Sequence, residues 1–160
     1  MSTENVKKYF ESINFEEKII EFDDHSTATV ELAAQAIGCE TGRIAKTMSM
    51  MTKDGPIVVV VMGDAKLDNR KYRDFFNEKA RFLKGEEVEQ YTGHPIGGVC
   101  PFALAEGCKV YLDVSLKEFE YVYPAAGGAN NAVKMTMENL EKTTGGTWTD
   151  VTKYWEEQSQ

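Results

Sequence analysis

An uninterrupted run of β-branched and apolar residues, Ile57 to Met62, constrains the fold of this 160-residue chain more than any other feature. A strand that is apolar on both faces lies in a sheet that is covered on both sides. The turn signal Asp54-Gly55-Pro56 precedes this run, and the partly alternating segment Ile44 to Met51 precedes the turn. The pattern therefore predicts a fully buried strand that forms a hairpin with the strand before it.

The other local patterns predict helices and strands in mixed order. Helices are predicted at residues 4–13, from the cap Thr29 to about Ile37 before Gly38, at Asp68–Asn77 and at Glu86–Tyr91, with one helical turn from Ser115 to Glu118. Strands are predicted at Lys18–Phe22, Arg81–Leu83, Lys109–Asp113, Glu120–Tyr123 and Ala132–Met137. This order, with more strand than helix, predicts an α/β (α+β) fold whose mixed, mostly antiparallel sheet is curled and surrounded by helices.

Composition bounds the class of protein. A length of 160 residues and an apolar fraction of 42% fit one domain over residues 1–160. No apolar stretch approaches the roughly 18 residues that span a bilayer, and the polar N-terminus has no signal-like apolar region. The three cysteines are an odd number at no metal-like spacing, so we expect reduced thiols, no metal and a cytoplasmic protein.

The net charge of −8 is unevenly distributed along the chain. Residues 1–41 carry 3 basic and 9 acidic side chains, residues 42–84 carry 10 and 5, and residues 85–160 carry 5 and 12. The middle segment, at +5, is able to face a polyanion, although a solvated helix face explains the same pattern. The acidic total predicts salt-sensitive contact with any nucleic acid.

Two features suggest a site for a carbonyl or phosphate oxygen. Lys46 lies on an otherwise apolar strand, where its ammonium requires a partner or a wet cleft, although a lysine at a sheet edge is also common. The segment Gly93 to Phe102 holds three glycines and two prolines, so its amides are able to approach a ligand closely and stabilise an oxyanion. An ordinary glycine-rich turn is the alternative interpretation of that segment, but the density of glycines favours a functional loop.

Two further features leave alternatives open. The loop Pro124 to Asn131 is small and glycine-rich, which fits either a substrate-binding turn or a long hairpin turn. Cys100 and His94 share one loop and suggest a cysteine hydrolase, but proximity in sequence does not supply the geometry of a catalytic pair.

These segments resemble a known family. Val61 to Asp68 is similar to its strand, Gly-Asp turn and helix, and Gly97 to Pro101 is similar to its Gly-x-x-x-Pro loop. Lys46 matches its essential lysine, and Gly127-Gly128 matches its final glycine turn. The family is the YbaK/EbsC, or prolyl-tRNA-editing, type, and the resemblance runs from about Lys18 to Asp150.

The resemblance implies a barrel-like α/β domain that hydrolyses the ester of a mischarged tRNA, often tRNA for proline, carrying a small amino acid such as alanine, cysteine, serine or threonine. No metal or cofactor is implied, and an aminoacyl-tRNA synthetase is a possible partner. The residues assigned to catalysis are Lys46, Gly97 and Gly98. The residues assigned to substrate binding are Met48, His94, Val99, Cys100, Pro101, Phe102, Gly127, Gly128 and Asn130.

The chain departs from the family pattern at three places. No ionisable residue is present at Ala129 to Ala132, where many members carry a His or Asp; His94 stands where an aromatic residue is common; and Ala103 stands where glycine is usual. These departures keep open a catalytically weak member that binds a nucleotide or an aminoacyl group. For an active member we expect Lys46 and the loop amides to hold the acyl group, and Arg70, Lys71 and Arg73 to contact acceptor-stem phosphates.

Overall fold

The computed structural model describes residues 2–153 and contains two classes of regular element. The helices are α1 (Ser2–Ser12), α2 (Val30–Ile37), α3 (Asn69–Phe76), α4 (Glu86–Thr92) and α5 (Met137–Thr144), with short 3-10 helices at Thr41–Arg43 and Val114–Glu118. The strands are β1 (Ile19–Glu21), β2 (Ile44–Thr52), β3 (Gly55–Met62), β4 (Lys66–Leu67), β5 (Lys109–Asp113), β6 (Tyr121–Pro124), β7 (Asn131–Val133), β8 (Met135–Thr136), β9 (Thr147–Thr149) and β10 (Thr152–Lys153). None of these helices is long and apolar enough to cross a membrane.

Six strands form one curled, half-barrel sheet in the order β8-β6-β2-β3-β5-β9. Two small sheets, β1-β7 and β10-β4, extend it. Four of the seven strand pairings among residues 2–153 are antiparallel, and the pairings β2-β6, β3-β5 and β5-β9 are parallel. The mixed α/β fold with a barrel-like sheet is therefore confirmed.

The β2-β3 hairpin is the centre of the sheet, as its apolar pattern predicts. Its register runs from Ala45 opposite Met62 to Thr52 opposite Gly55. Successive side chains of β3 enter two different cores, because residues alternate between the two faces of a strand. Val60 belongs to the larger cluster with Phe102 and Leu112, whereas Val59 and Val61 pack with Tyr72 of α3.

The C-terminal third differs most from the sequence-based expectation. The predicted strand Ala132–Met137 is two short strands, since β7 pairs with β1 whereas β8 pairs with β6. Helix α5 and strands β9 and β10 were not predicted. Asp113, not Ser115, caps the short helix after β5, because its Oδ2 accepts from the Ser115 amide at 2.9 Å.

Candidate functional site

A cavity of about 300 Å³ opens beside β2, where the strand lacks an outer neighbour. At one end of this gap β2 pairs with β6 through Ile44 and Ala45. At the other end the Met51 amide donates to the Arg81 carbonyl at 2.9 Å and the Leu83 amide donates to the Ser49 carbonyl at 3.0 Å. Between them, at residues 46–48, no described strand continues the ladder on this side.

Elements from across the chain close the cavity around this gap. They are the start of α2, β2, α4, the loop before Cys100, the end of β6 and β7. The lining residues are Thr27, Ala28, Thr29, Val30, Ala33, Ile44, Ala45, Lys46, Thr47, Ser49, Val88, Ile96, Gly97, Val99, Tyr123, Ala125, Asn131 and Ala132. Thr29 also caps α2, since its side chain accepts from the Leu32 amide at 3.2 Å. The cap fixes the helix start against the cavity.

Lys46 is half-buried at the gap, and its ammonium lies in a polar corner. Its Nζ donates to the carbonyl oxygen of Ala65 at 2.8 Å. Burial lowers the pKa of Lys46, while the charges of Asp64 and Glu31 raise it and that of Lys66 lowers it. Because an ammonium has three donors and residues 2–153 supply one acceptor, two N–H groups of Lys46 remain for a ligand within the described part of the chain.

Gly97 lines the same cavity and has a backbone suited to close approach. Its φ is +89°, and a Cβ at this position would lie 3.3 Å from the Cβ of Ala28. Its amide has no acceptor among residues 2–153. The Gly98 amide, which we expected to face a substrate, instead donates to the Pro95 carbonyl at 3.0 Å. Gly97 is therefore the better-placed main-chain donor of the two.

The two glycine-rich segments pack directly on each other. A Cβ at Gly98 would lie 2.9 Å from the nitrogen of Gly128 and 3.0 Å from the carbonyl carbon and oxygen of Gly127. The turn at residues 127–128 is in turn covered by the start of α1, because a Cβ at Gly127 would lie 2.8 Å from Ser2 Oγ. The turn thus supports the loop from behind and does not line the cavity.

His94 and Cys100 are in contact but are sealed inside the protein. Nε2 of His94 lies 2.7 Å from the Phe102 carbonyl oxygen and 3.4 Å from Cys100 Sγ, and its Nδ1 pairs with the Ser2 hydroxyl. A carbonyl only accepts, so Nε2 carries the proton and Nδ1 accepts from Ser2. Burial lowers the pKa of His94 and raises the pKa of Cys100 to about 12. Neither a thiolate nor a free imidazole base is available here at neutral pH.

The remaining predicted substrate-binding residues have different surroundings. Val99 lines the cavity. Pro101 and Phe102 are buried, and Phe102 packs edge-on against Phe10 at a centroid distance of 4.9 Å. Met48 packs against the cluster that contains Val59, Val61 and Tyr72. Asn130 is exposed, and its carbonyl oxygen accepts from the Phe22 amide at 2.9 Å.

Thr47 and Asn131 are among the cavity residues that the sequence did not single out individually, although Asn131 ends the loop identified as a possible substrate-binding turn. Oγ1 of Thr47 is buried and has no hydrogen-bond partner in the described part of the chain. Asn131 is buried, and its Oδ1 accepts from the amides of Ala126 at 3.0 Å and Gly128 at 3.3 Å. Asn131 therefore holds the shape of the glycine turn while also lining the cavity.

The electrostatic character of the cavity follows from its lining. Among the lining residues, Lys46 and Tyr123 alone are ionisable, and no carboxylate or imidazole is present. The cavity thus offers one cation, a glycine amide and a set of hydroxyl and amide groups on small apolar walls. Such an arrangement is able to bind and polarise an acyl oxygen, but it supplies no side-chain general base.

Comparison with known proteins identifies relatives of this chain. The model of the aminoacyl-tRNA editing domain matches residues 24–143. YwhH of Bacillus subtilis, an uncharacterized protein, is 48% identical over 158 residues, which cover 98% of this chain and all of YwhH. EbsC of Enterococcus faecalis, named as a candidate Cys-tRNA(Pro)/Cys-tRNA(Cys) deacylase, is 29% identical over 132 residues, covering 81% of this chain and 79% of EbsC.

A solved structure agrees with the sequence relatives. A crystal structure described as a candidate trans-editing enzyme for prolyl-tRNA synthetase superposes with a TM-score of 0.87 at 30% identity, covering 96% of this chain and 98% of that one. The matched residues 24–143 include Lys46, the glycine loop and the cavity walls from Thr27 to Ala132. The chain therefore belongs to the aminoacyl-tRNA editing domain family, and within it to the YbaK/EbsC type.

Proposed function

We propose that the chain is a trans-acting deacylase that hydrolyses the ester of a mischarged tRNA in the cytoplasm. The observation that carries this proposal is that Lys46 and Gly97 line the same small cavity. The names of EbsC and of the solved structural relative support a tRNA ester as the substrate. The reaction adds water to the acyl carbon, breaks its bond to the ribose oxygen, and releases the amino acid and the tRNA.

The proposed chemistry depends on positioning and charge, since an aminoacyl ester is already activated. The free N–H groups of Lys46 hold an oxygen of the acyl group or of the neighbouring phosphate as charge develops on it. The free amide of Gly97 approaches the same group. With no side-chain base in the lining, the attacking water is oriented by cavity hydroxyl groups and by the substrate itself.

The proposed amino acid is small, of the alanine, cysteine, serine or threonine type. The lining of the cavity includes small side chains such as Ala28, Ala33 and Val99. A close-packed wall excludes a larger side chain more strongly than it distinguishes two small ones. The tRNA for proline is the first carrier to test, because the names of two relatives specify it or its synthetase. A synthetase that hands over the charged tRNA is a candidate partner.

The test is a deacylation screen with a matched lysine control. Wild-type protein is incubated with alanyl-, cysteinyl-, seryl- and threonyl-tRNA, and Lys46→Ala is assayed on whichever is hydrolysed. Loss of one oxyanion donor typically lowers kcat by about 10²–10³-fold, which is the expected effect. Lys53→Ala removes an exposed lysine just after the same strand and should retain the wild-type rate. Full activity of Lys46→Ala would remove this residue from the mechanism.

A binding module is the second candidate, and the cavity itself favours it in one respect. No carboxylate or imidazole is among the lining residues, so a ligand is held without a base to attack it. Single-turnover assays with enzyme in excess separate the two functions. A binder retains the aminoacyl-tRNA with its amino acid attached, whereas a deacylase releases the amino acid.

A further inference from the structure

A second cleft, of about 330 Å³, lies beside α3 and is basic. It is lined by Asn69 and Arg73 of α3 and by Lys79 and Ala80 of the following segment. Residues four apart share one face of a helix, so Asn69 and Arg73 point to the same side. Lys79 faces them from outside the helix. Two cations and one amide thus converge on a concave surface.

The charges of this cleft are not neutralised within residues 2–153. Neither Arg73 nor Lys79 forms an ion pair there. Two of the nearby carboxylates have other partners. Oδ1 of Asp68 accepts from the first-turn amides of α3, at 3.0 and 3.2 Å, and both carboxylate oxygens of Glu78 accept from the Lys53 amide, at 3.2 and 3.0 Å. Within residues 2–153, the side chains of Arg73 and Lys79 are therefore not held in ion pairs and are able to contact a ligand.

Lys71, on the same helix, stabilises the fold and is not available to a ligand in the way that Arg73 is. Its Nζ pairs with Asp150 at 3.1 Å and donates to the Thr152 carbonyl at 2.8 Å, which ties α3 to the C-terminal strand. The sequence suggested that Arg70, Lys71 and Arg73 contact phosphates together. In the structure, Lys71 is committed to the fold, whereas Arg73 is available.

We propose that the cleft of Asn69, Arg73 and Lys79 binds backbone phosphodiesters of the tRNA acceptor stem. This inference rests on the proposed function and adds the surface that holds the nucleic acid. A chain of net charge −8 repels a polyanion over most of its surface, so contact is confined to the segment at residues 42–84, which carries +5. Arginine and lysine side chains supply most phosphate contacts in nucleic-acid complexes, and an amide also serves. The same stretch of sequence also carries Lys46.

The test measures binding of uncharged tRNA, so that it does not depend on deacylation. The variant Arg73→Gln with Lys79→Gln is compared with wild type by fluorescence anisotropy at several salt concentrations. Each phosphate contact contributes about 0.7–0.9 to the slope of log K against log salt, so the slope should fall by about 1.5 and Kd should rise roughly ten-fold or more near 0.15 M salt. The charge-matched control is Lys8→Gln with Lys142→Gln, two exposed lysines outside this segment.

Three outcomes decide the proposal. The charge-conserving double variant Arg73→Lys with Lys79→Arg should recover the wild-type slope of log K against log salt. This recovery, at a melting temperature unchanged from wild type, supports a direct contact with phosphate. An unchanged slope and Kd in the Gln variant, or an equal loss in the Lys8 and Lys142 control, overturns the cleft as the binding surface. Displacement of tRNA by low millimolar inorganic phosphate as effectively as by duplex RNA would assign the cleft to a free phosphate instead, and would also overturn it. A lack of deacylation by the wild type would contradict the proposed function without affecting these measurements.

Discussion

Gly98→Ala tests whether the close contact of the two glycine segments shapes the cavity. The added Cβ would lie 2.9–3.0 Å from three main-chain atoms of Gly127 and Gly128, whereas ordinary contacts begin near 3.4 Å. No flexible side chain can give way, so one segment must shift by about 0.5 Å. The turn cannot recede easily, because Thr3 of α1 and Asn131 lie directly behind Gly128. The displacement is therefore passed to the loop that carries Gly97.

The expected magnitudes follow from this shift. Overpacking of this kind costs about 1–3 kcal/mol, which for a chain of this size lowers the melting temperature by roughly 2–12 °C. Because a 1 Å misplacement in an active site costs about 10²-fold in rate, half of that shift should lower kcat/KM about ten-fold. Differential scanning fluorimetry and the deacylation assay measure the two effects. Gly107→Ala is the control. Gly107 has a φ of +89°, which disfavours alanine, but nothing lies within 4 Å of the added Cβ. This variant should therefore lose stability while its kcat/KM stays at the wild-type value. A wild-type rate in Gly98→Ala would refute the argument that the packed glycines position the loop.

Three further predictions concern single groups of the site. Thr47→Val removes a buried hydroxyl that has no partner among residues 2–153, at nearly constant shape. We expect unchanged or higher thermal stability and a deacylation rate within about two-fold of wild type, because the hydroxyl is closed off from the cavity. A rate lowered three- to ten-fold, about the worth of one hydrogen bond, would show instead that the substrate reaches this hydroxyl. The charge of Asp64 raises the pKa of Lys46, and activity that needs the ammonium is lost as pH rises through that pKa. Asp64→Asn should therefore move the alkaline limb of the pH–rate profile to lower pH, once the rate of uncatalysed hydrolysis is subtracted. An alkaline limb that does not move would show that another group titrates there. Cys100 is buried with a pKa raised to about 12, so mass spectrometry after brief iodoacetamide treatment of the native protein should find it unmodified, and rapid alkylation would reopen the cysteine-hydrolase hypothesis.

The central elements were predictable because their signals are local. The turn at Gly55 and the apolar pattern on both sides of it specify the β2-β3 hairpin, and Thr29 and Gly38 mark both ends of α2. The elements after residue 131 were less predictable. Alternation at Val133, Met135 and Met137 suggests one strand, but the segment divides between two partners, β1 near the start of the chain and the preceding strand β6. Pairing partners are tertiary information, and a single sequence carries them weakly.

In the candidate site, too, some residues carry a local sequence signal and others are placed by tertiary structure alone. Lys46 and Gly97 stand out by residue type, a lysine in an apolar strand and a glycine in a dense loop, so the sequence suggested both. Thr47 and Asn131 carry no such signal, because hydroxyl and amide residues are common in strands and turns. Their position at the cavity depends on where β6 and the segment at residues 81–83 stop hydrogen bonding to β2. No local sequence pattern specifies the gap between those two points.

The gap in the sheet also explains why the polar groups of the site are tolerated in an otherwise apolar strand. An unpaired strand edge is normally a liability, because its main chain offers a template to other chains. Here helix α2, the glycine loop and β7 surround the edge but leave a cavity of about 300 Å³ beside it. Within that enclosure the Lys46 ammonium donates to one carbonyl, and neither its other two donors nor the Thr47 hydroxyl has a partner among residues 2–153. Since polar groups without partners cost free energy in an enclosed site, the two remaining donors of Lys46 at this unfinished edge fit a polar ligand that completes their hydrogen bonds.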